Sequence, residues 1–278
     1  MSSIDSAPVS AGQRRGLPHP LLVLGTIVPL LFVAVPLVAL LWRTFEDADG
    51  VFADETREKL LEALRLSALT TAIALGLVIL FGTPLAYTLA RRSFRGSRIV
   101  DTVVDLPIVL PPAVAGIALL MAFGRRGLVG EYLDDWGIRI GFTTAAVVIA
   151  QAFVSLPFYV RSVKAGFSTV HRDLEGAAET DGATPFRAFL DITLPLAAPS
   201  IAAGAVLAWA RALGEFGATI MFAGNLAGRT QTMPLAIYGE YESGDLSTAL
   251  ALSTILLVIS AMVLLVSRSS LFRPRPEG

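Results

Sequence analysis

The stretch Leu66-Ser-Ala-Leu-Thr-Thr-Ala-Ile-Ala-Leu-Gly-Leu-Val-Ile-Leu-Phe-Gly-Thr-Pro-Leu-Ala-Tyr-Thr-Leu-Ala90, followed at once by Arg91-Arg-Ser-Phe-Arg-Gly-Ser-Arg98, decides how this chain folds. The first part carries no charge, and as a helix it is long enough to cross the hydrocarbon core of a bilayer, about 30 Å thick. Lipid offers no water to backbone N–H and C=O groups, so such a run must close its hydrogen bonds internally. The second part holds four arginines in eight residues and no acid. By the positive-inside rule that end faces the cytoplasm.

Five further apolar stretches lie outward from this one. With it they give six spans at Leu21–Trp42, Leu66–Ala90, Ile99–Phe123, Phe142–Val163, Pro199–Phe222 and Leu246–Val266. The composition agrees, with 54% hydrophobic and only 16% charged residues in 278, against about 25% charged in soluble domains. The fold class expected is therefore an all-α membrane protein of six transmembrane helices. The first run is too long for a signal-peptide core, and no small-x-small cleavage pattern follows Trp42-Arg43-Thr44. An even-numbered span ending inside puts both termini in the cytoplasm. Segments then assigned inside hold 13 of the Lys and Arg residues, Arg14, Arg15, Arg268, Arg273 and Arg275 among them, and those assigned outside hold 8. The acidic 46–62 segment suits the outer face.

Several chemistries are excluded. There is no cysteine, so disulfides, thiol catalysis and Cys-ligated metals are out; two histidines cannot make a multi-histidine centre. A net charge of −1 with no separate basic domain disfavours nucleic acid. Neither Lys59 nor Lys164 follows glycine, so no phosphate-binding Gly-Lys-Ser/Thr loop exists. The chain therefore cannot bind and hydrolyse ATP by that route, and no cofactor is expected in it.

Within the spans, Pro111 and Pro112, with Pro107, interrupt the third helix, which is read as bordering a pathway. Asp101 and Asp105, one turn apart, are expected to pair with Arg95 or Arg98. Arg211 and Glu215 are the charges set deep in a span, on one helix face at i,i+4. Such a pair is either a structural lock or part of a gate, and the two roles are compatible. Thr219 is a candidate for transient contact with a passing ligand.

The longest cytoplasmic connection reads Asp173-Leu-Glu-Gly-Ala-Ala-Glu-Thr-Asp-Gly-Ala-Thr-Pro-Phe-Arg-Ala-Phe-Leu-Asp-Ile-Thr-Leu-Pro195. A helix through Ala177 and Ala178 should stop at Gly182. After Ala183, a second should start with Thr184 as N-cap and Pro185 in its first turn. Phe186, Phe189 and Leu190 are placed on one face of it, a surface suited to a partner.

This loop resembles the EAA loop of ABC importer permeases, carried here by Ala177, Ala178, Gly182, Ile192, Leu194 and Pro195, with Gly176 standing where the first Glu is usual and Glu175 just before it. The runs Leu106-Pro-Ile-Val-Leu-Pro-Pro-Ala-Val-Ala-Gly116, Arg211-Ala-Leu-Gly-Glu-Phe-Gly-Ala-Thr-Ile-Met-Phe-Ala-Gly-Asn225 and Arg229-Thr-Gln-Thr-Met-Pro-Leu-Ala-Ile-Tyr238 are similar to permeases of molybdate/tungstate importers. The Gly-Glu-Phe-Gly element is shared with sulfate/thiosulfate permeases. The resemblance implies a type I ABC importer permease in the prokaryotic plasma membrane, itself not an enzyme. It implies a core over 60–266 with the coupling loop at 171–197, after a 1–20 tail and a first helix at 21–42, and before a 267–278 tail. Implied partners are two copies of an ATPase holding ATP and Mg, an extracytoplasmic oxyanion-binding protein and a second permease copy, most simply an identical one. Glu175, Gly176, Ala177, Ala178, Gly182, Ala183, Pro185, Phe186 and Pro195 would then face the ATPase, and Arg126 and Arg229 the binding protein. A secondary anion transporter and an intramembrane enzyme are the rival readings; both would function without an ATPase.

Overall fold

The structure is a computed structural model that describes residues 20–47 and 54–271. The expected tails lie outside these residues, apart from a few at their edges. In chain order the helices are α1 (Pro20–Glu46), α2 (Asp54–Arg91), α3 (Ser97–Val109), α4 (Pro112–Phe123), α5 (Gly130–Asp135), α6 (Thr144–Thr169), α7 (Arg172–Thr180) and α8 (Pro185–Ala188). A π-helical turn (Phe189–Thr193) leads into α9 (Leu194–Leu213), followed by α10 (Gly217–Ala223), α11 (Met233–Ser243) and α12 (Leu246–Leu271). Among the described residues, five helices are long and apolar enough to cross a membrane, and the bent pair α3–α4 makes a sixth crossing if taken as one span.

Two expected spans are broken. The third is not one helix from Ile99 to Phe123, since α3 and α4 meet at 119°. The cause is local: Leu110 and Pro111 each precede a proline, which disfavours helical backbone, and the two in succession are extended, at ψ 132° and 135°. The fifth is not one helix from Pro199 to Phe222. It stops at Leu213, passes through Gly214, Glu215 and Phe216, and resumes at Gly217. At its other end α9 continues from the 171–197 loop through the π-turn, so the second loop helix is the start of this span.

Helix α6 is the spine. Val160, Val163, Tyr159 and Phe167 pack with Val78 and Ala86 of α2 and Ala197 and Ala208 of α9. Ala146, Val147, Ala150 and Val154 pack with α4 and α10. Membrane helices gain little from apolar burial against one another, so close backbone approach through small residues matters more. At the α6–α9 crossing a Cβ on Gly166 would stand 2.3 Å from the Cβ of Ser200, and Ser162 donates to the Ser200 carbonyl at 2.9 Å. Helix α1 is by contrast exposed along its apolar window, touching the rest through Thr44 and Thr254, whose hydroxyls stand 2.7 Å apart.

Ion pairs hold α3 on α6. Asp101 pairs with Lys164 at 2.6 Å and Asp105 with Arg161 at 2.7 Å, correcting the expectation of Arg95 or Arg98. The one-turn spacing of the two acids matches that of the two cations on α6, so the helices pair rung by rung.

Gly166→Ala should lower stability by about 1–3 kcal/mol, because the added methyl meets packed atoms. Gly76→Ala, where a Cβ meets nothing within 4 Å, should be neutral or slightly stabilising. Thermal unfolding of both variants in one detergent separates them, and equal losses would refute the close-packing account.

Candidate functional site

The two helix breaks touch. A Cβ on Gly217 would lie 2.5 Å from the Cβ of Pro112, and one on Gly116 would lie 2.6 Å from the Ala218 carbonyl oxygen. Only glycine at 217 lets the start of α10 lie against the start of α4. Pro111 caps α4 and Pro112 opens it; proline is suited to that position because its missing N–H would have no helical partner there.

Arg211 and Glu215 bridge the second break. Nη1 of Arg211 lies 2.6 Å from Oε2 of Glu215, and the carboxylate is 1% exposed against 28% for the guanidinium. The other oxygen, Oε1, accepts the Ala218 backbone N–H at 2.7 Å. Arg211 thus sits in the last turn of α9 and Glu215 just before the first turn of α10, each sign matching its helix end. Thr219, on α10, is fully buried and its hydroxyl has no hydrogen-bond partner. The residues singled out by sequence as pathway or gate therefore gather at one place. Sequence reading missed Gly217 and the break itself, although two glycines within four residues are a breaker signal.

At the arginine-rich end, the loop folds as a helix–turn–helix. Helix α7 closes with Ala183 N–H donating to the Ala178 carbonyl at 2.9 Å and Gly182 N–H to that of Glu179 at 3.1 Å. This is the Schellman pattern, with Gly182 at φ +93°. Thr184 caps α8 through its hydroxyl, accepting from Arg187 N–H, and Pro185 follows it. Gly176, Ala177 and Pro195 are exposed and Ala178 is half-buried. The aromatic face divides. Phe186 is 69% exposed, whereas Phe189 turns inward, its ring 4.8 Å from that of Tyr87. The Glu175 carboxylate also turns inward, pairing with Arg91 at 3.0 Å. Those contacts place the 91–98 and 170–195 segments at the same end of the molecule.

The opposite end carries α5 and the 224–232 loop. Arg125 and Arg139 both pair with Asp134, at 3.0 and 2.8 Å, and Arg139 first, then Arg125, holds its carboxyl below the usual carboxylate range. That clamp persists at neutral pH and loosens only as pH falls through the lowered value. Arg126 and Arg229 are exposed and form no ion pair among the described residues. Among the described residues no group of acids and histidines is placed to hold a metal.

Comparison with known proteins follows the same lines. Residues 79–273 match the family model described as "Binding-protein-dependent transport system inner membrane component". The chain is 47% identical over 242 residues to the molybdenum transport system permease protein ModB of Mycobacterium bovis, covering 87% of this chain and 90% of that one. It is 35% identical over 260 residues to the sulfate transport system permease protein CysT of Escherichia coli, covering 92% and 93%. Among solved structures it is similar, at TM-score 0.67 and 19% identity, to a chain of a bacterial alginate ABC transporter in complex with a periplasmic protein, over 90% of this chain and 92% of that one.

The charge pair at the break makes its own prediction. Arg211→Gln should destabilise by about 3 kcal/mol, since it leaves the 1% exposed carboxylate unpaired, and Glu215→Gln by less, since the arginine it frees is 28% exposed. The double variant should fall well short of the sum. A double-mutant cycle on thermal stability measures the coupling, and strict additivity would mean the 2.6 Å contact contributes nothing.

Proposed function

The chain belongs to the family of binding-protein-dependent transport system inner membrane components, and from that premise we propose that it forms the membrane pathway of an ATP-driven importer for molybdate or tungstate. The observation that carries the choice of anion is the 47% identity with a molybdenum transport permease over 87% of the chain, against 35% for a sulfate permease of similar coverage. Two copies of the chain, two ATPase subunits and a binding protein on the outer face complete the machine in this reading.

Geometry fits each role. The exposed Phe186 and the turn at Gly182 offer the ATPase a protruding apolar knob beside the ends of α2 and α6. At the far end, Arg126 and Arg229 are free to meet acidic groups on a binding protein, an interaction that salt would weaken. Between them, the paired breaks supply backbone that is not locked into long helices, as in other transport proteins whose sites lie at discontinuous helices. Closing of the ATPases on ATP would draw the two exposed loops together and open the pathway outward; hydrolysis would reverse it. The chain itself performs no chemistry on the anion.

ATP hydrolysis by the reconstituted complex is the deciding experiment. Binding protein loaded with molybdate or tungstate should stimulate it above the unloaded rate, and sulfate-loaded protein should do so less. Equal or greater stimulation by sulfate would assign the chain to sulfate instead, and transport without any ATPase would refute the importer reading.

The docking surface is tested separately. Phe186→Ala should reduce co-purification of the ATPase while leaving the permease folded. Gly182→Val should do the same through backbone strain alone, about 1–2 kcal/mol or more for a β-branched residue held at positive φ, because no atom lies within 4 Å of the added Cβ. Full co-purification of both variants would move the contact elsewhere.

A further inference from the structure

Helix α7 has no buried residue, so apolar packing does little to fix its angle to the spans. Its hold is polar and converges on Arg91, the last residue of α2. Nη1 of Arg91 donates to the Val170 carbonyl at 3.0 Å and Nη2 to Oε1 of Glu175 at 3.0 Å. The Thr193 hydroxyl, at the end of the π-turn, donates to the same Oε1. Arg172, the first residue of α7, donates back to the Arg91 carbonyl at 2.7 Å. The Arg91 and Glu175 side chains are 8% and 17% exposed. Beside them the rings of Tyr87, Phe167 and Phe189 pack with centroids 4.8 to 6.0 Å apart. The ends of α2 and α6, the first turn of α7 and the entry to α9 thus meet around the Arg91–Glu175 pair, Thr193 joining through the Glu175 carboxylate and Arg172 through the Arg91 carbonyl.

We infer that Arg91 is a positioning residue that makes α7 move as one body with α2, α6 and α9, so that displacement of the loop reaches the spans without slack. The inference rests on the importer reading above and adds a route of transmission inside the chain. Two features favour transmission over simple anchoring. Directional bonds in a site shielded from water resist bending more than apolar contact does, which matters for a lever. A planar fork also fixes Val170 and Glu175 relative to each other, which a lysine ammonium would not do. Glu175 is then an internal strut of the loop and leaves docking to the exposed residues around it.

The test uses the reconstituted complex with loaded binding protein and compares Arg91→Lys, Glu175→Gln and Thr193→Val with Arg92→Lys, an exposed neighbour. The first two should still bind the ATPase and hydrolyse ATP, yet move about fivefold fewer anions per ATP; Thr193→Val should show a smaller loss and Arg92→Lys none. An unchanged ratio in both Arg91→Lys and Glu175→Gln, or an equal fall in Arg92→Lys, overturns the inference. If those two variants fail to assemble, Thr193→Val decides, and an unchanged ratio there overturns it. Amide exchange of the permease alone gives a reading independent of transport. Protection of α7 should drop about fivefold in Glu175→Gln and stay at the native level in Arg92→Lys; no drop in Glu175→Gln also overturns it. A native complex that shows no ATP-driven transport while α7 loses protection in Glu175→Gln would sink the importer reading, and the strut would then be only an anchor.

Discussion

In hydrocarbon, every backbone group freed by a helix break has to find a partner inside the protein. Most of the architecture on the α10 side of the molecule answers to that constraint. The chain breaks at Leu110–Pro111 and again at Gly214–Phe216, and the two interruptions lie against each other, Gly217 on Pro112. Prolines reduce the difficulty at the first break by removing donors. At the second, Glu215 accepts the Ala218 N–H and so caps α10 with a carboxylate. A carboxylate that deep requires a cation, and Arg211 meets it from one turn back. The break, the cap and the ion pair are linked steps of one solution, which is why replacing either charge alone is costly.

The same helix, α6, serves both ends. Near its start it packs on α4 and α10, beside the breaks. Farther along it grips α2 and α9 through Tyr159 and Phe167, and the Val170 carbonyl just past its end accepts from Arg91. Arg161 and Lys164 add two rungs to α3. Because these contacts alternate along one rigid rod, a shift at the arginine-rich end has a packed path to the breaks. Contiguity alone does not demonstrate coupling; the directional bonds around Arg91 are where it can be measured.

The features legible in the sequence were those set by local spacing or by composition over about twenty residues. Hydropathy found the six apolar stretches, and the Gly182 turn and Thr184–Pro185 start followed from residue type and offset. The Arg211–Glu215 contact was legible because i,i+4 partners need no knowledge of the fold. Partners distant in sequence were not. Asp105 meets Arg161 and Asp101 meets Lys164 across 56 and 63 residues, so nearer arginines looked more plausible. The second break escaped notice because three residues hardly alter a hydropathy average. Phe189 was placed with Phe186 on helical spacing, but the π-turn that begins at Phe189 belongs to a chain path already entering α9, and its ring fills the space beside Tyr87.

A dianion must leave a pathway as readily as it enters, so a free, desolvated arginine would trap it rather than pass it. Arg211 is the cation nearest the breaks on its own helix, and it is already committed to Glu215. Exposed positive charge lies instead on the loops, at Arg126 and Arg229 on one side and at Arg92, Arg95 and Arg98 on the other. Under the proposed function, this distribution attracts or hands over an oxyanion at the surfaces while keeping the interior close to neutral. Selection would then rest with a partner that can hold the anion tightly because it does not have to pass it through lipid. The buried Thr219 hydroxyl, a neutral group without a hydrogen-bond partner among the described residues, is in keeping with an interior of that kind.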